Sequence, residues 1–157
     1  MVEESYPSIE FGSIDELCSL IHTHTNGWDT KWYRGSKNPA YQLLPKLFRD
    51  PNTAQREGYI AVEFRRRARS HLTGMATQFD WLCAMQHYSV PTRLLDWSES
   101  LAVALYFTVR PIGVDLIAPT ILVLDPFRLN ALSYRGQPVI PISTSIEISA
   151  NADLAFE

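Results

Sequence analysis

The sequence is poor in cysteine, with only Cys18 and Cys83 among 157 residues. Neither lies in a Cys-x-x-Cys pair or near a His-x-x-x-His pair, so the spacing that a structural zinc site requires is missing and we expect no bound metal. Each cysteine sits inside an apolar stretch, where free cysteine usually behaves as a small hydrophobic side chain. We therefore predict two buried, reduced thiols and no disulfide.

Long apolar runs are also missing. The longest nearly uniform run, residues 101–107, is far shorter than the roughly 20 residues that cross a bilayer. The first residues, Met1-Val2-Glu3-Glu4, have neither the basic nor the apolar part of a secretion signal, so we expect no membrane association and a cytoplasmic location. No glycine-rich phosphate loop, nucleophile elbow or internal repeat occurs, which removes the common dinucleotide-binding, hydrolase and solenoid motifs.

Charge is unevenly distributed along the chain. The formal net charge is −3, yet residues 31–93 carry 11 Lys or Arg against four acids, a local charge of +7, and the remaining residues carry −10. A basic central third in an acidic protein favours a partner with localised negative charge, such as a phosphate-bearing small molecule. The alternative is that these arginines form solvated helix faces.

The composition, with 46% hydrophobic and 20% charged residues, is that of one globular domain. We assign residues 1–12 to a lead-in and residues 13–157 to the domain. Helical spacing of apolar residues predicts a helix that begins after Ser13, a long helix from about residue 53 to 72, a third over residues 79–88 and a fully buried one over residues 98–109. Ser13 and Glu16 have the spacing of a capping box.

Strand signals lie at both ends of this helical part. Residues 28–35 predict a short strand, residues 120–124 a buried central strand, and residues 139–142 and 144–149 two further strands. Helices thus dominate the first two thirds. The predicted fold class is α+β, with helices packed on a small mixed sheet.

Two segments combine polar residues with aromatic ones. The first is Trp-Tyr-Arg-Gly-Ser at 32–36, and the second is Gln-His-Tyr-Ser-Val-Pro-Thr-Arg-Leu-Leu-Asp-Trp-Ser at 86–98, immediately before the most apolar helix. Polar groups close to a core need partners. These side chains are therefore expected to pair with one another, with backbone groups or with a ligand.

These segments resemble the FRG domain family. The resemblance rests on Tyr-Arg-Gly-Ser at 33–36, Leu-Leu-Pro-Lys-Leu-Phe-Arg at 43–49, Glu57 with Phe64-Arg65, the 86–98 segment, and Ala-Leu-Tyr-Phe at 104–107. It covers about residues 30–125. Tyr33 stands where the family's Phe-Arg-Gly name places phenylalanine. The activity of most members is undefined.

A second resemblance is to ADP-ribosyltransferases of the arginine-serine-glutamate type. Arg34 is similar to their early arginine, and Asp96-Trp97-Ser98 before residues 104–107 is similar to their Ser-Thr-Ser strand, although Asp96 departs from serine. The resemblance implies an ADP-ribosyltransferase-like fold with NAD as substrate or ligand. An arginine fork suits a pyrophosphate or ribose, and Ser98 suits a ribose hydroxyl.

The candidate site residues follow from these segments. We expect one cleft to unite them, with the ligand-binding and catalytic candidates as follows: Tyr33, Arg34, Gly35, Gln86, Arg93 and Ser98 for binding, and His87, Asp96 and Glu147 for catalysis. Structural alternatives stay open. Arg34 and Arg93 with Asp96 would also serve as a buried ion network, His87 as a hydrogen-bonded core residue, and Gly35 as a turn.

Two functional classes remain. One is an enzyme that transfers ADP-ribose from NAD or hydrolyses it, for which Glu147 is the late acid in a strand context. The other is a non-catalytic module that binds a nucleotide, or binds protein or nucleic acid through the basic 31–93 region. The family's late Arg-x-x-x-Gln-x-Gly-x-Phe-like segment is missing, so we expect a truncated sheet lacking its last strand or strands, completed by a further domain or chain, and little turnover by this chain alone.

Overall fold

The computed structural model describes residues 8–38, 43–110 and 118–133. Over these ranges the chain is an α+β domain. Six helices and two strands follow one another, with a 3₁₀ turn at Lys46–Arg49: α1 Ile14–His24, β1 Trp32–Ser36, α2 Pro51–Ala54, α3 Glu57–Ala68, α4 Gln78–His87, α5 Leu101–Val109, β2 Thr120–Leu124 and α6 Pro126–Ser133.

Side-chain caps set where the helices begin. The Ser13 hydroxyl accepts the Glu16 N–H at 3.1 Å and starts α1. At α4 the Thr77 hydroxyl accepts the Asp80 N–H while the Asp80 carboxylate accepts the Thr77 N–H at 2.8 Å, which completes a capping box. The Ser100 side chain caps α5. Each cap satisfies amide groups that the first helical turn leaves without a partner.

The two strands pair antiparallel, from Trp32 opposite Leu124 to Ser36 opposite Thr120. Helix α5 lies against β1 at a very close distance, because a Cβ built on Gly35 would lie 3.0 Å from the Ala104 carbonyl carbon and nearer still to the carbonyl oxygen. Glycine is therefore required at position 35 by the helix behind the strand. Gly35 lies inside β1 and its backbone has no positive φ, so of the alternatives left open for this residue the structure does not show the turn.

The core is small and distributed among the helices and the motif loop. Its most buried side chains come from α1, the 3₁₀ turn, α3, α4, α5 and the loop before α5: Leu17, Leu47, Ala61, Leu82, Met85, Ala104, and the polar Thr25, Thr92 and Thr108. In the described ranges no helix has the length and apolar character needed to cross a membrane.

The main elements confirm the sequence prediction, with bounds shifted by a few residues. The predicted long helix is divided in two: the Asp50 carboxylate caps α2 at Pro51, α2 ends at Ala54, and α3 begins at Glu57. Helix α6 was not predicted. The sheet formed by the described strands is antiparallel and not mixed. The predicted strands at 139–142 and 144–149 lie outside the described residues.

Burial differs from the prediction in three places. Helix α5 buries only Ala104 and Thr108, while Tyr106 and Phe107 are more than half exposed, so the fully buried helix was wrong. The strand β2 is half-buried along its length. Cys18 and Cys83 are free but exposed, because Leu17 and Leu82, one position earlier on each helix, take the inward direction.

Candidate functional site

A cleft of about 510 Å³ opens between β1, the segment that follows it and α5. Its described lining has a polar side along β1 and an apolar side from the 43–49 segment, α5 and β2. The lining residues are Arg34, Gly35, Ser36, Lys37, Leu43, Leu44, Phe48, Arg49, Phe107 and Leu122. Ligand pockets typically have this size and this mixture of apolar walls with a few polar groups.

The described lining includes three cations and no carboxylate. Arg34 donates from Nη1 to the Asp96 carbonyl oxygen at 2.5 Å, Arg49 donates from Nε to the Leu44 carbonyl at 3.1 Å, and the Lys37 ammonium donates to the Arg110 carbonyl. All three bonds go to backbone carbonyls, which orient the side chains without neutralising them. The cleft therefore favours an anion.

Arg34 itself is half-buried. Burial lowers the pKa of its guanidinium, the nearby Asp96 opposes that change, and Arg49 lowers the pKa further. Two guanidinium groups that repel each other in one cleft gain free energy when an anion lies between them, because each positive charge then has a counter-charge. The planar fork of arginine also suits the oxygens of a phosphate.

The strand β1 holds Arg34 in place through pairs on both sides. On one side β1 pairs with β2, and on the other the Tyr33 N–H donates to the Ser98 carbonyl at 2.7 Å while the Ser98 N–H donates back at 2.9 Å. The two sequence motifs are thus joined directly by their backbones. Burial, and to a smaller extent Cys18, raises the pKa of the Tyr33 phenol, so it stays protonated at neutral pH.

A chain of hydrogen bonds shapes the loop between α4 and α5. The Gln86 amide donates to the Asp96 carboxylate at 2.7 Å and its carbonyl accepts the Thr92 hydroxyl at 2.5 Å. Thr92 is only 1% exposed, and its hydroxyl also accepts the Leu94 N–H. Gln86 and Thr92 therefore position Asp96, whose carbonyl in turn holds Arg34.

The loop turns sharply where α4 ends. Val90 N–H donates to the Met85 carbonyl at 2.9 Å and Ser89 N–H to the Gln86 carbonyl at 3.0 Å, the two bonds of a Schellman motif. Ser89 has φ of 59°, a left-handed conformation that normally favours glycine. The Lys46 ammonium donates to the Ser89 carbonyl at 2.6 Å and ties the turn to the 43–49 segment.

Arg93 of this loop contacts other partners than the Gln86 chain of bonds does. Its guanidinium binds the Glu57 carboxylate through two N–H groups, one of them at 2.7 Å, which raises the pKa of Arg93. Its Cζ also stands 6.0 Å from the centre of the Phe48 ring, a wall of the cleft. Arg93 thus supports the cleft from outside, because it joins α3 to a residue of the lining.

One catalytic candidate has little connection to the cleft. His87 is exposed at the end of α4, with its ring 5.2 Å from that of Tyr88, and it does not line the cleft. Glu147 lies outside the described residues. Of the predicted residues, Arg34 and Gly35 line the cleft, Gln86 and Asp96 join Arg34 through hydrogen bonds, and Ser98 pairs with Tyr33.

The exposed thiol of Cys83 is not an activated nucleophile. Partial desolvation raises the pKa of Cys83, and the neighbouring Asp80 and Asp96 carboxylates raise it further. The thiolate is the reactive form of cysteine, and these charges disfavour it.

Sequence reasoning missed Lys37 and Arg49 as cleft residues, and it missed the apolar wall of Leu43, Leu44 and Phe48. The 43–49 segment was nonetheless a visible signal. A proline-containing loop that keeps four large apolar residues and ends in arginine must pack on the domain, which places that arginine at the edge of whatever the loop covers.

The fold and the cleft are those of a small α+β domain whose paired strands present an arginine to a basic cleft. The family follows from comparison with known proteins. Residues 29–113 match the FRG domain, which is more than half of the chain, and the protein belongs to the FRG domain family. No curated protein and no solved structure gives a significant match.

Proposed function

We propose that this FRG domain binds a phosphate-bearing nucleotide, NAD or ADP-ribose, in the basic cleft. The observation that carries the proposal is the convergence of Arg34, Lys37 and Arg49 on one cleft whose described lining contains no acid. A pyrophosphate brings the negative charge that these groups lack. The apolar wall formed by residues such as Phe48 and Phe107 suits the flat face of a base.

The other candidate residues have roles around this ligand. Arg34 grips the pyrophosphate as a fork, and the Ser98 hydroxyl, adjacent to Tyr33 on the paired backbone, contacts a ribose hydroxyl. Gln86 and Arg93 act through Asp96 and Phe48, as positioning residues and not as direct contacts.

Catalysis on NAD would break the bond between ribose C1′ and the nicotinamide nitrogen. Nicotinamide leaves with the bonding electron pair, and water or an acceptor then attacks the positively charged sugar, which a carboxylate stabilises. Asp96 is the carboxylate candidate next to Arg34, Glu147 is the late candidate, and His87 is the candidate base. An assay of nicotinamide release with Asp96→Asn and Glu147→Gln assigns the carboxylate, and binding without release assigns the domain to the non-catalytic class.

Binding is tested by calorimetric titration of the purified chain with NAD, ADP-ribose and inorganic pyrophosphate. We expect Arg34→Lys and Arg49→Ala each to weaken binding at least about tenfold, which corresponds to the 1.5–3 kcal/mol of a charge-assisted hydrogen bond. Arg67→Ala is the matched control because its side chain is 77% exposed on α3, away from the cleft. Unchanged binding in both cleft variants would refute the proposal. Melting curves separate lost binding from lost folding.

The alternative, a protein- or nucleic-acid-interaction module that uses the basic 31–93 region, remains the competing class. It predicts that none of the three small ligands binds and that a macromolecular anion does. A surface between α3 and α4, outside the cleft, favours a protein partner.

A further inference from the structure

A second depression lies in the basic 31–93 region, between α3 and the start of α4. It has a volume of about 600 Å³ and shares no lining residue with the nucleotide cleft. We call it the α3–α4 groove. Its described lining is Val62, Arg65, Arg66, Arg69, Met75 and Trp81.

Positive charge dominates this groove. Half of its described lining residues are arginines and none is an acid. Arg66 is bound to Glu63 at 3.0 Å yet stays 67% exposed, so its pair is weakened by water and open to exchange. A carboxylate brought to the groove therefore finds cations that water currently solvates.

Arg65 adds an unsatisfied donor. One of its terminal nitrogens binds the Gln78 side-chain oxygen, but its Nε is buried and has no hydrogen-bond partner among the described residues. A buried N–H without an acceptor destabilises the folded chain. An acceptor atom supplied from outside would satisfy this donor, since the Nε–H of an arginine donates to a carboxylate oxygen in a sideways geometry.

The groove also has apolar side chains that are at least partly exposed to water. Val62 is 63% exposed at its edge, and Met75 and Trp81 line its base. The indole of Trp81 is already engaged, because the Arg65 guanidinium stands 5.8 Å from the ring centre and Phe64 packs edge-on at 6.4 Å. Nucleobases need an open aromatic face on which to stack. An aliphatic side chain needs only the depression itself.

We propose that the α3–α4 groove is a docking site for an acidic peptide segment of a partner protein, one that carries carboxylates beside an aliphatic residue. The carboxylates bind Arg65, Arg66 and Arg69, and the aliphatic side chain fills the space between Val62, Met75 and Trp81. The groove shares no lining residue with the nucleotide cleft, so binding at one site can be absent while binding at the other is present.

Fluorescence anisotropy with a labelled short peptide that alternates Glu and Leu tests this site. A peptide of the same length that alternates Glu and Ser keeps the charge and removes the aliphatic anchor. We expect the Glu-Leu peptide to bind at least about fivefold tighter, since burying a large aliphatic side chain stabilises the complex. A short oligothymidine serves as the competing nucleic acid.

The protein variants are Arg69→Glu, which reverses a charge in the groove, and Arg67→Glu as the control. Arg67 is on the same helix and also contacts Glu63, at 3.3 Å, but does not line the groove. The proposal requires Arg69→Glu to weaken the Glu-Leu peptide at least about tenfold and Arg67→Glu less than about threefold. Arg69→Ala replaces Arg69→Glu if the reversed charge lowers the melting temperature, with the same order expected.

Four results would each overturn the proposal: no measurable binding of the Glu-Leu peptide, equal binding of both peptides, equal losses in the Arg67 and Arg69 variants, or displacement of the peptide by oligothymidine at a lower concentration than by unlabelled peptide. The last result would assign the groove to nucleic acid. Titration of the Arg69 variant with ADP-ribose is the control for the separate cleft, and we expect it to match the parent chain.

Discussion

The close approach of α5 to β1 makes Gly35→Ala the most informative single substitution. The added Cβ would lie 3.0 Å from the Ala104 carbonyl carbon, whereas carbon atoms in ordinary contact are about 3.5–4.0 Å apart. The carbonyl oxygen and the Thr108 hydroxyl would be closer still. A backbone carbonyl inside a helix cannot rotate away, so the strand and helix must separate by roughly 1 Å along much of their length.

Overpacking of this kind typically costs about 1–3 kcal/mol. Replacing glycine returns only about 0.4–1 kcal/mol through the unfolded chain, so the net effect on the free energy of unfolding is a loss. For a domain of this size we expect the melting temperature to fall by roughly 2–4 °C for each kcal/mol lost. Gly58→Ala is the matched control, because a Cβ at this helical position meets nothing within 4 Å and should stabilise the domain by about 0.5–1 kcal/mol.

Thermal and urea unfolding followed by circular dichroism measure both variants. Gly35→Ala combined with Thr108→Ala tests the cause, since it removes the hydroxyl and leaves the Ala104 carbonyl in place; we expect little recovery. A Gly35→Ala chain as stable as Gly58→Ala would refute the close contact, and full recovery in the double variant would show that the hydroxyl alone sets the limit.

Three further substitutions test the motif loop and a helix cap. Gln86→Glu places a second carboxylate against Asp96, which accepts a bond at 2.7 Å from the amide. Because this bond is lost and two like charges then face each other, we expect the free energy of unfolding at pH 7 to fall by about 1–3 kcal/mol in urea unfolding, and a variant as stable as the parent contradicts this. Ser89→Gly relieves a left-handed φ of 59° and should raise the melting temperature by roughly 2–4 °C, whereas a decrease would mean that the serine side chain stabilises the turn. Hydrogen bonds from the cap lower the pKa of Asp80. The contribution of Asp80 to stability is therefore present above the ordinary aspartate pKa of about 3.9 and is lost as the pH falls through the lower folded value. The melting temperature of Asp80→Asn should depend less on pH below about 4 than that of the parent.

Local sequence patterns predicted the helices and strands better than they predicted which residues of each element are buried. The caps at Ser13 and the apolar spacing of α4 depend on neighbours within one helical turn, and both are visible in the sequence. The exposure of Cys83 beside buried Leu82 shows the limit, because an apolar stretch does not state which side of the helix faces inward.

The candidate site was predictable in part for a related reason. Arg34 and the Gln86–Asp96 relation come from two motifs whose polar residues needed partners, and the structure joins them. Lys37 and Arg49 line the same cleft because the 43–49 segment returns to the cleft at the end of β1. No periodic pattern encodes that return, since it is set by packing between distant parts of the chain.

The strand β1 pairs with two parts of the chain that are synthesised at different times after it. Residues 37–119 separate the two strands, so at about 5–20 residues per second β1 is made roughly 4–17 s before β2. Ser98, the partner on the other edge, is made earlier, and α5 follows it. We expect stalled nascent chains to become protease-resistant around Tyr33 only once α5 has emerged, and resistance before Ser98 is made would contradict this. On this order of synthesis, the 86–98 segment is the first distant part of the chain that can pair with β1. The strand β2 pairs with the other edge of β1 last.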